Sequence, residues 1–436
     1  MPSEPRARRP LSSRSLAAIS ILALGALAGC VDGPARPTGP AYSGITRPDP
    51  TRPQRPAEPL PSQPVSDRYA ESRNAYMPRH IPRNEQGNVK RIAVLLPFSS
   101  TSPNVQKITR GLYNSIQMAL FEIGARDVVL MPRDASSSDP GQTARVAEQA
   151  VKDGAVAVIG PLFSQQVAPV AGRAAEVHAP VLAFSNDISA AGQGAYLVSL
   201  TPQAEVKRIV DWATQQGVKH FAMFGPDTPG HAMEQALRQE AAAHGVDVIS
   251  VEYYEPGDSR PTAAATRLGR IVKQSNDAEP GKTAVLLPDS GTQLRSIASF
   301  LPYVVDLNLR QVKFIGTSLW NDPDVWRETA LRGGAFSAPD PAAQADFDRR
   351  YQALFGEAAP QFASYGYDAA ALAATVASSD RMDAATIQRT QGWAGVNGLF
   401  RFQPDGSAER ALAVLQLGEG GPKVVSPPLK AFGPGS

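Results

Sequence analysis

A chain of 436 residues with 42% hydrophobic and 19% charged residues has the composition of an ordinary folded protein, neither fibrous nor wholly disordered. Its formal charge of +2, with basic residues dispersed and not interleaved with aromatics, gives no footing for nucleic acid. A single cysteine excludes an internal disulfide.

The first element is a targeting segment. Four arginines (Arg6, Arg8, Arg9, Arg14) precede a small-to-apolar run over 16–28, interrupted only by Ser20 and Gly25. That is the layout of a signal peptide, and the run is short for a bilayer span. It closes on Leu27-Ala28-Gly29-Cys30, which resembles the lipobox of bacterial lipoproteins. The resemblance implies removal of residues 1–29 and lipid attachment at Cys30. It also implies a mature protein that is anchored to a membrane and does not span it. A multiply acylated cysteine makes a stable anchor where one chain makes a marginal one. An aspartate directly after the cysteine favours inner-membrane retention in such lipoproteins. Val31 stands there, so the outer membrane, facing the periplasm, is the expected location.

Residues 30–88 read as a disordered tether. Twelve of the 39 prolines fall in this stretch, and its few apolar residues keep no helical or strand period. A polyproline-biased chain extends ~3.1 Å per residue, so the tether would reach on the order of 100 Å.

From residue 89 the pattern alternates strand and helix. Strand 91–97 is followed by helix 105–123, strand 127–131, and helix 139–152 with Asp139 as N-cap and Pro140 in the first helical position. Next come strand 155–160, helix 165–178, strand 181–184 and an extended stretch at 195–200. A second set reads helix 204–216, strand 220–224, helix 232–244, strand 247–253, helix 262–275, strand 283–287, helix 292–301 and strand 312–315. Helices at 342–354, 362–377 and 383–390 precede a final hairpin, 398–402 with 411–417, turning at Pro404-Asp405-Gly406. Alternation of this kind predicts an α/β protein with doubly wound, mostly parallel sheets, and its length predicts two lobes.

The order of elements and several motifs resemble the type I periplasmic-binding-protein fold, in its leucine/isoleucine/valine-binding branch. The motifs are Ile92 to Pro97 with Ser99 and Ser100, Val158-Ile159-Gly160-Pro161-Leu162-Phe163-Ser164, and Pro180 through Asp187. Tyr367-Asp368-Ala369-Ala370 and Gly395-Val396-Asn397-Gly398-Leu399-Phe400-Arg401-Phe402 complete the set. The resemblance covers 89 to the C-terminus. It implies a first lobe of 89–201 plus 338–394 and a second of 202–337 plus 395–430. Lipobox, tether and body together most resemble the penicillin-binding protein activator lipoproteins, which stimulate peptidoglycan synthases. Their enterobacterial members carry a helical-repeat domain ahead of the body, where this sequence has its proline linker.

Ligands in doubly wound lobes sit beyond the carboxyl ends of the strands, where helix N-termini offer free N–H groups. Ser99 and Ser100, Ser164, and Ser185, Asn186 and Asp187 meet that condition. In amino-acid-binding relatives the positions matching Ser164 and Ser185 to Asp187 grip a carboxylate. As types, these residues are equally suited to caps and turns. Those relatives also need an acidic residue for the ligand's ammonium, in the loop after the strand matching Phe314-Ile315-Gly316. Here the loop is Thr317-Ser318-Leu319-Trp320-Asn321, with no carboxylate before Asp322; Asp227 and Asp289 could stand in, but neither is expected to. An ammonium closed away without a counter-charge is costly. Synthase activation through a bifunctional penicillin-binding protein therefore ranks above amino-acid transport through an ABC permease. Five histidines without metal-ligand spacing, and no P-loop, Gly-x-Ser-x-Gly or His-Glu-x-x-His, imply no cofactor, no metal and no catalysis.

Overall fold

The computed structural model describes residues 89–125, 127–379 and 382–432. The expected signal segment, Cys30 and the proline-rich stretch lie outside the described residues. Strand β1, Lys90–Leu96, is apolar on both faces because both are covered. Ile92, Val94 and Leu96 enter one hydrophobic cluster, Ala93 and Leu95 another, the alternation a strand imposes. β1 pairs in parallel with β2, Val128–Asp134, and β3, Ala155–Ile159, which leads through β4, Val181–Ala183, to β5, Ala195–Leu197. The order of this all-parallel sheet is β2-β1-β3-β4-β5.

Helices α2, Pro140–Lys152, and α3, Ser164–Ala174, cover one face of that sheet. Asp139 caps α2 as expected, its carboxylate accepting from the Gly141 amide at 2.9 Å. Helix α1, Pro103–Ile123, covers the other face beside α9, Ala363–Ser378. A Cβ on Gly366 would lie 2.5 Å from the Leu112 carbonyl oxygen, so glycine is required for this close helix approach. Helix α8, Pro341–Phe355, packs Phe347 and Tyr351 against Met118 of α1.

The second sheet has seven strands. β6, His220–Pro226, β7, Asp247–Tyr254, β8, Thr283–Leu286, β9, Lys313–Gly316, and β10, Ala335–Ala338, are parallel neighbours. β14, Ala413–Gly418, runs antiparallel beside β10, and β15, Gly421–Ser426, closes that edge. α4, Pro202–Gln215, and α5, Pro229–His244, cover one face; α6, Thr262–Ala278, and α7, Gly291–Val305, cover the other. Both lobes are thus doubly wound, as the alternation of elements predicts. Among the described residues, no helix is long and apolar enough to cross a membrane.

The C-terminal part differs from the sequence expectation. A three-stranded sheet forms from β11, Trp393–Gly395, β12, Gly398–Phe402, and β13, Ala408–Arg410. The hairpin partner of β12 is therefore β13 and not 411–417. Asp405 accepts from the Ser407 amide at 2.8 Å and Gly406 takes φ 86°, so the chain returns at once after the turn. β14 is buried on both faces and sits inside the large sheet. Phe400, Phe402 and Ala408 join the first lobe's cluster, so the chain enters the second lobe's sheet at Ala413 and not at 395. The helix expected over 383–390 shrinks to α10, Ala384–Ile387. The Trp393 indole donates to the Ile387 carbonyl at 2.9 Å, and the Arg389 guanidinium lies over the Trp393 ring.

Candidate functional site at the strand ends and hinge

The sheet order sets β1, β3 and β4 side by side, so the three serine segments expected from the sequence gather at one carboxyl edge. The Ser99 amide donates to Asp134 Oδ1 at 3.1 Å and to Ser136 Oγ at 3.0 Å, and the Ser99 hydroxyl donates to Asp134 Oδ2 at 2.5 Å. Burial pushes the Asp134 carboxyl up, but the hydrogen bonds from Ser136 and Ser99 prevail and hold it below its ordinary value. Ser100 Oγ accepts from the Ser102 amide at 3.3 Å. Ser164 is the first residue of α3, after Gly160, where a Cβ would lie 2.1 Å from the Leu95 carbonyl oxygen. Ser185 Oγ is buried and accepts from the Asp187 amide at 3.0 Å. Asp187 in turn accepts from the Ser189 amide at 3.0 Å, and Asn186 is exposed. Ser99, Ser100, Ser185 and Asp187 thus all serve turns or caps, while Asn186 is exposed and Ser164 is half-buried at the N-terminus of α3.

In the second lobe the loop after β9 folds inward. Trp320 is fully buried, and its indole donates to the Leu287 carbonyl at 2.9 Å. A Cβ on Gly316 would lie 2.2 Å from that ring, so a side chain there would expel it. The two substitute carboxylates are engaged locally. Asp289 accepts from the Tyr254 hydroxyl at 2.7 Å and from the Ser290 amide at 2.7 Å. Asp227 accepts from the Thr228 amide at 2.8 Å and lies 3.2 Å from His231.

The second lobe also holds a buried polar group that sequence reasoning missed. Glu205, in the first turn of α4, accepts from the Ser318 amide at 2.6 Å. Burial pushes its carboxyl up to about 7, against the pull of the Ser318 hydrogen bonds. Across the hinge, Asp368 of α9 accepts from the Val396 amide at 2.6 Å and from Asn397 at 3.1 Å, and lies 3.7 Å from Arg410. This meeting joins the Tyr367-Asp368 and Gly395-Val396-Asn397 motifs. A Cβ on Gly395 would lie 2.6 Å from Asp368 Oδ1, so glycine is needed there. Arg410 also donates to the Val198 carbonyl, and its guanidinium lies over Tyr365 and Phe400.

Behind the hinge, Asp211, Glu240 and His244 place three metal-capable atoms within 4.8 Å of one another, a juxtaposition that histidine spacing in the sequence did not indicate. Lys207 Nζ lies 3.3 Å from Asp211 and 3.9 Å from Glu240, so an ammonium already supplies the counter-charge. A cavity of about 360 Å³ opens beside them, with Asp405, Glu409 and Leu429 on its far wall.

Residues 90–422 match a protein-family model described as periplasmic binding protein. The chain belongs to the periplasmic binding protein family. Its fold is that of other members. A putative branched-chain amino acid ABC transporter from Rhodospirillum rubrum superposes with a TM-score of 0.65 at 21% identity, over 77% of this chain and 100% of that one. A solute-binding protein from R. palustris in complex with benzoate gives 0.53 at 16%, over 80% and 100%. Full-length LpoA from Haemophilus influenzae gives 0.55 at 18%, over 78% of this chain and 59% of LpoA. A comparison with curated proteins gave no match. In this family setting the two sheets are the two lobes.

Proposed function

We propose that this protein is a lipid-anchored envelope protein that stimulates peptidoglycan synthesis by contact with a bifunctional penicillin-binding protein, turning over no substrate itself. The observation that carries the reading is the loop after β9. Where amino-acid-binding relatives need an acidic group, Trp320 is folded into the core, Asp289 is held by Tyr254, and Asp227 by its own turn. An α-amino acid closed into such a cleft would leave its ammonium without a counter-charge. The likeness to LpoA, of which this chain spans 59%, agrees with the resemblance drawn from lipobox, tether and body. A second reading, a substrate-binding protein of an ABC transporter, rests on Ser164 at the N-terminus of α3 and the exposed Asn186. That edge suits a carboxylate without an amino group.

Reconstitution separates the two. Purified protein is expected to bind a bifunctional penicillin-binding protein and raise its glycan-polymerising or cross-linking rate. Deleting 34–64 should weaken activation in cells but not between soluble components, because the tether sets reach and effective concentration. Calorimetry with leucine, isoleucine and valine should show no binding. Tight binding to any of them with no effect on the synthase would replace the first reading by the second.

Attachment is tested apart from activation. Cys30→Ser is expected to abolish palmitate labelling and release the protein from the outer-membrane fraction. Unchanged labelling would remove the anchor from the proposal.

A further inference from the structure

The chain passes between the lobes at 198–202, 338–341 and 410–413. After the last strand of the large sheet, the described residues make a further passage. β15 ends at Ser426 in the second lobe, and Phe432 lies against the first. Between them run Pro427-Pro428-Leu429-Lys430-Ala431. Two consecutive prolines fix φ and bias this run toward a stiff, extended form.

Each end is fastened by an arginine of the lobe it reaches. Arg208 of α4 donates to Ser426 Oγ at 2.6 Å and to the Ser426 and Pro427 carbonyls at 3.4 Å. Its Nε donates to the Leu412 carbonyl at 2.7 Å, so the same guanidinium also holds the passage at 410–413. At the far end, the Arg401 guanidinium of β12 lies 4.6 Å from the centre of the Phe432 ring. Arg401 is a firm platform, because Glu409 lies 2.7 Å away and its side chain is 9% exposed. A Cβ on Gly392, just before β11, would lie 2.9 Å from the Phe432 ring, so the ring uses room that only a glycine leaves. Midway, Leu429 stands on the wall of the cavity of about 360 Å³. That cavity takes Lys207 from the second lobe and Asp405 and Glu409 from the first.

The two fastenings are unequal. The Arg208 end is held by hydrogen bonds to the tail and by the ladder between β15 and β14. The Phe432 end is half-buried and held by one cation–ring contact and its seat on Gly392. A change of lobe angle moves Arg208 relative to Arg401, and a short run led by two prolines has little slack to follow. We propose that residues 427–432 are a strap that fastens the lobes to each other outside the covalent hinge, and that undocking of Phe432 from Arg401 and Gly392 is the step that lets them part. The strap acts on the hinge whichever partner the body serves, so it stands apart from the synthase reading.

Spin labels on Val177→Cys and Tyr303→Cys, exposed positions in the first and second lobe, read the lobe separation in the full chain with Cys30→Ser. Pulsed dipolar spectroscopy is expected to give one narrow distance distribution with the native tail. In Phe432→Ala, and in a chain ending at Ser426, the population outside that distribution should rise on the order of tenfold, the scale of a desolvated cation–ring contact. Phe432→Tyr keeps a ring over Arg401 and should keep the narrow distribution. Distributions that coincide in the native tail, Phe432→Ala and the shortened chain would overturn the strap. So would equal broadening in Phe432→Tyr and Phe432→Ala. Should the shortened chain fail to fold, Phe432→Ala against Phe432→Tyr decides, since Phe432 lies outside both hydrophobic cores.

Discussion

Arg410→Met is expected to lower folding stability by about 3–5 kcal/mol, the usual cost of stripping one member from a buried ion pair. The Arg410 side chain is 1% exposed and that of Asp368 is 0% exposed. Burial already pushes the Asp368 carboxyl up, opposed by Arg410, Asn397 and the Val396 and Asn397 amides. Without Arg410 that carboxyl keeps its Val396 and Asn397 donors but loses its counter-charge, and the Val198 carbonyl loses its donor. The double change Arg410→Met with Asp368→Asn should recover much of the loss, because no charge then remains to be buried. Urea unfolding of the four proteins checks both statements. A loss below about 1 kcal/mol in Arg410→Met, or no recovery in the double variant, would contradict the account.

Trp320→Ala should cost a similar amount, about 3–5 kcal/mol, for a different reason. The indole fills space between Phe336, Gly316 and Gly334, and its removal leaves a cavity in the second lobe's core. It also leaves the Leu287 carbonyl without its 2.9 Å donor and loosens Trp326, whose indole donates to the Trp320 carbonyl at 3.0 Å. The loss should appear in the second lobe, so an early transition seen by exchange in β8 and β9, with β1 and β3 still protected, is the expected pattern. Loss spread evenly over both lobes would argue against a local role.

Trp320 also shows where reading the chain stopped short. Its loop was legible as lacking a carboxylate, but a tryptophan in a polar-looking loop carries no sign of which way it turns. Only the crossing of β8 and β9, and the glycines at 316 and 334, make the hole it fills. Glu205 stands in the first turn of the helix expected over 204–216, where an acid suits the helix N-terminus and nothing local marks it as buried. In the fold it is buried and accepts from the Ser318 amide, 113 positions away. Likewise Asp368 and Arg410 were visible as family markers or not at all, because nothing local tells a buried charge from a solvated one.

Two short strands went unexpected and one longer strand was mispaired. Ala335–Ala338 and Trp393–Gly395 have four and three residues, too few to show a period, and Ala413–Gly418 was paired with the wrong partner. A strand buried on both sides has no alternation to declare its neighbour, so pairing is decided by which elements the crossings bring together.

The sequence by itself determined the alternation of strands and helices, the cap at Asp139, the edge that carries the serines and the two-lobed class. Each of these rests on local periodicity, turn chemistry and the apolarity of covered strands, which act over a few residues. Tertiary structure alone decided that Phe400 and Phe402 belong to the first lobe, that Trp320 closes the second, and that Asp368 and Arg410, far apart in the chain, share one buried site. Those outcomes turn on contacts between residues far apart in the chain, where burial sets both the packing and the charge.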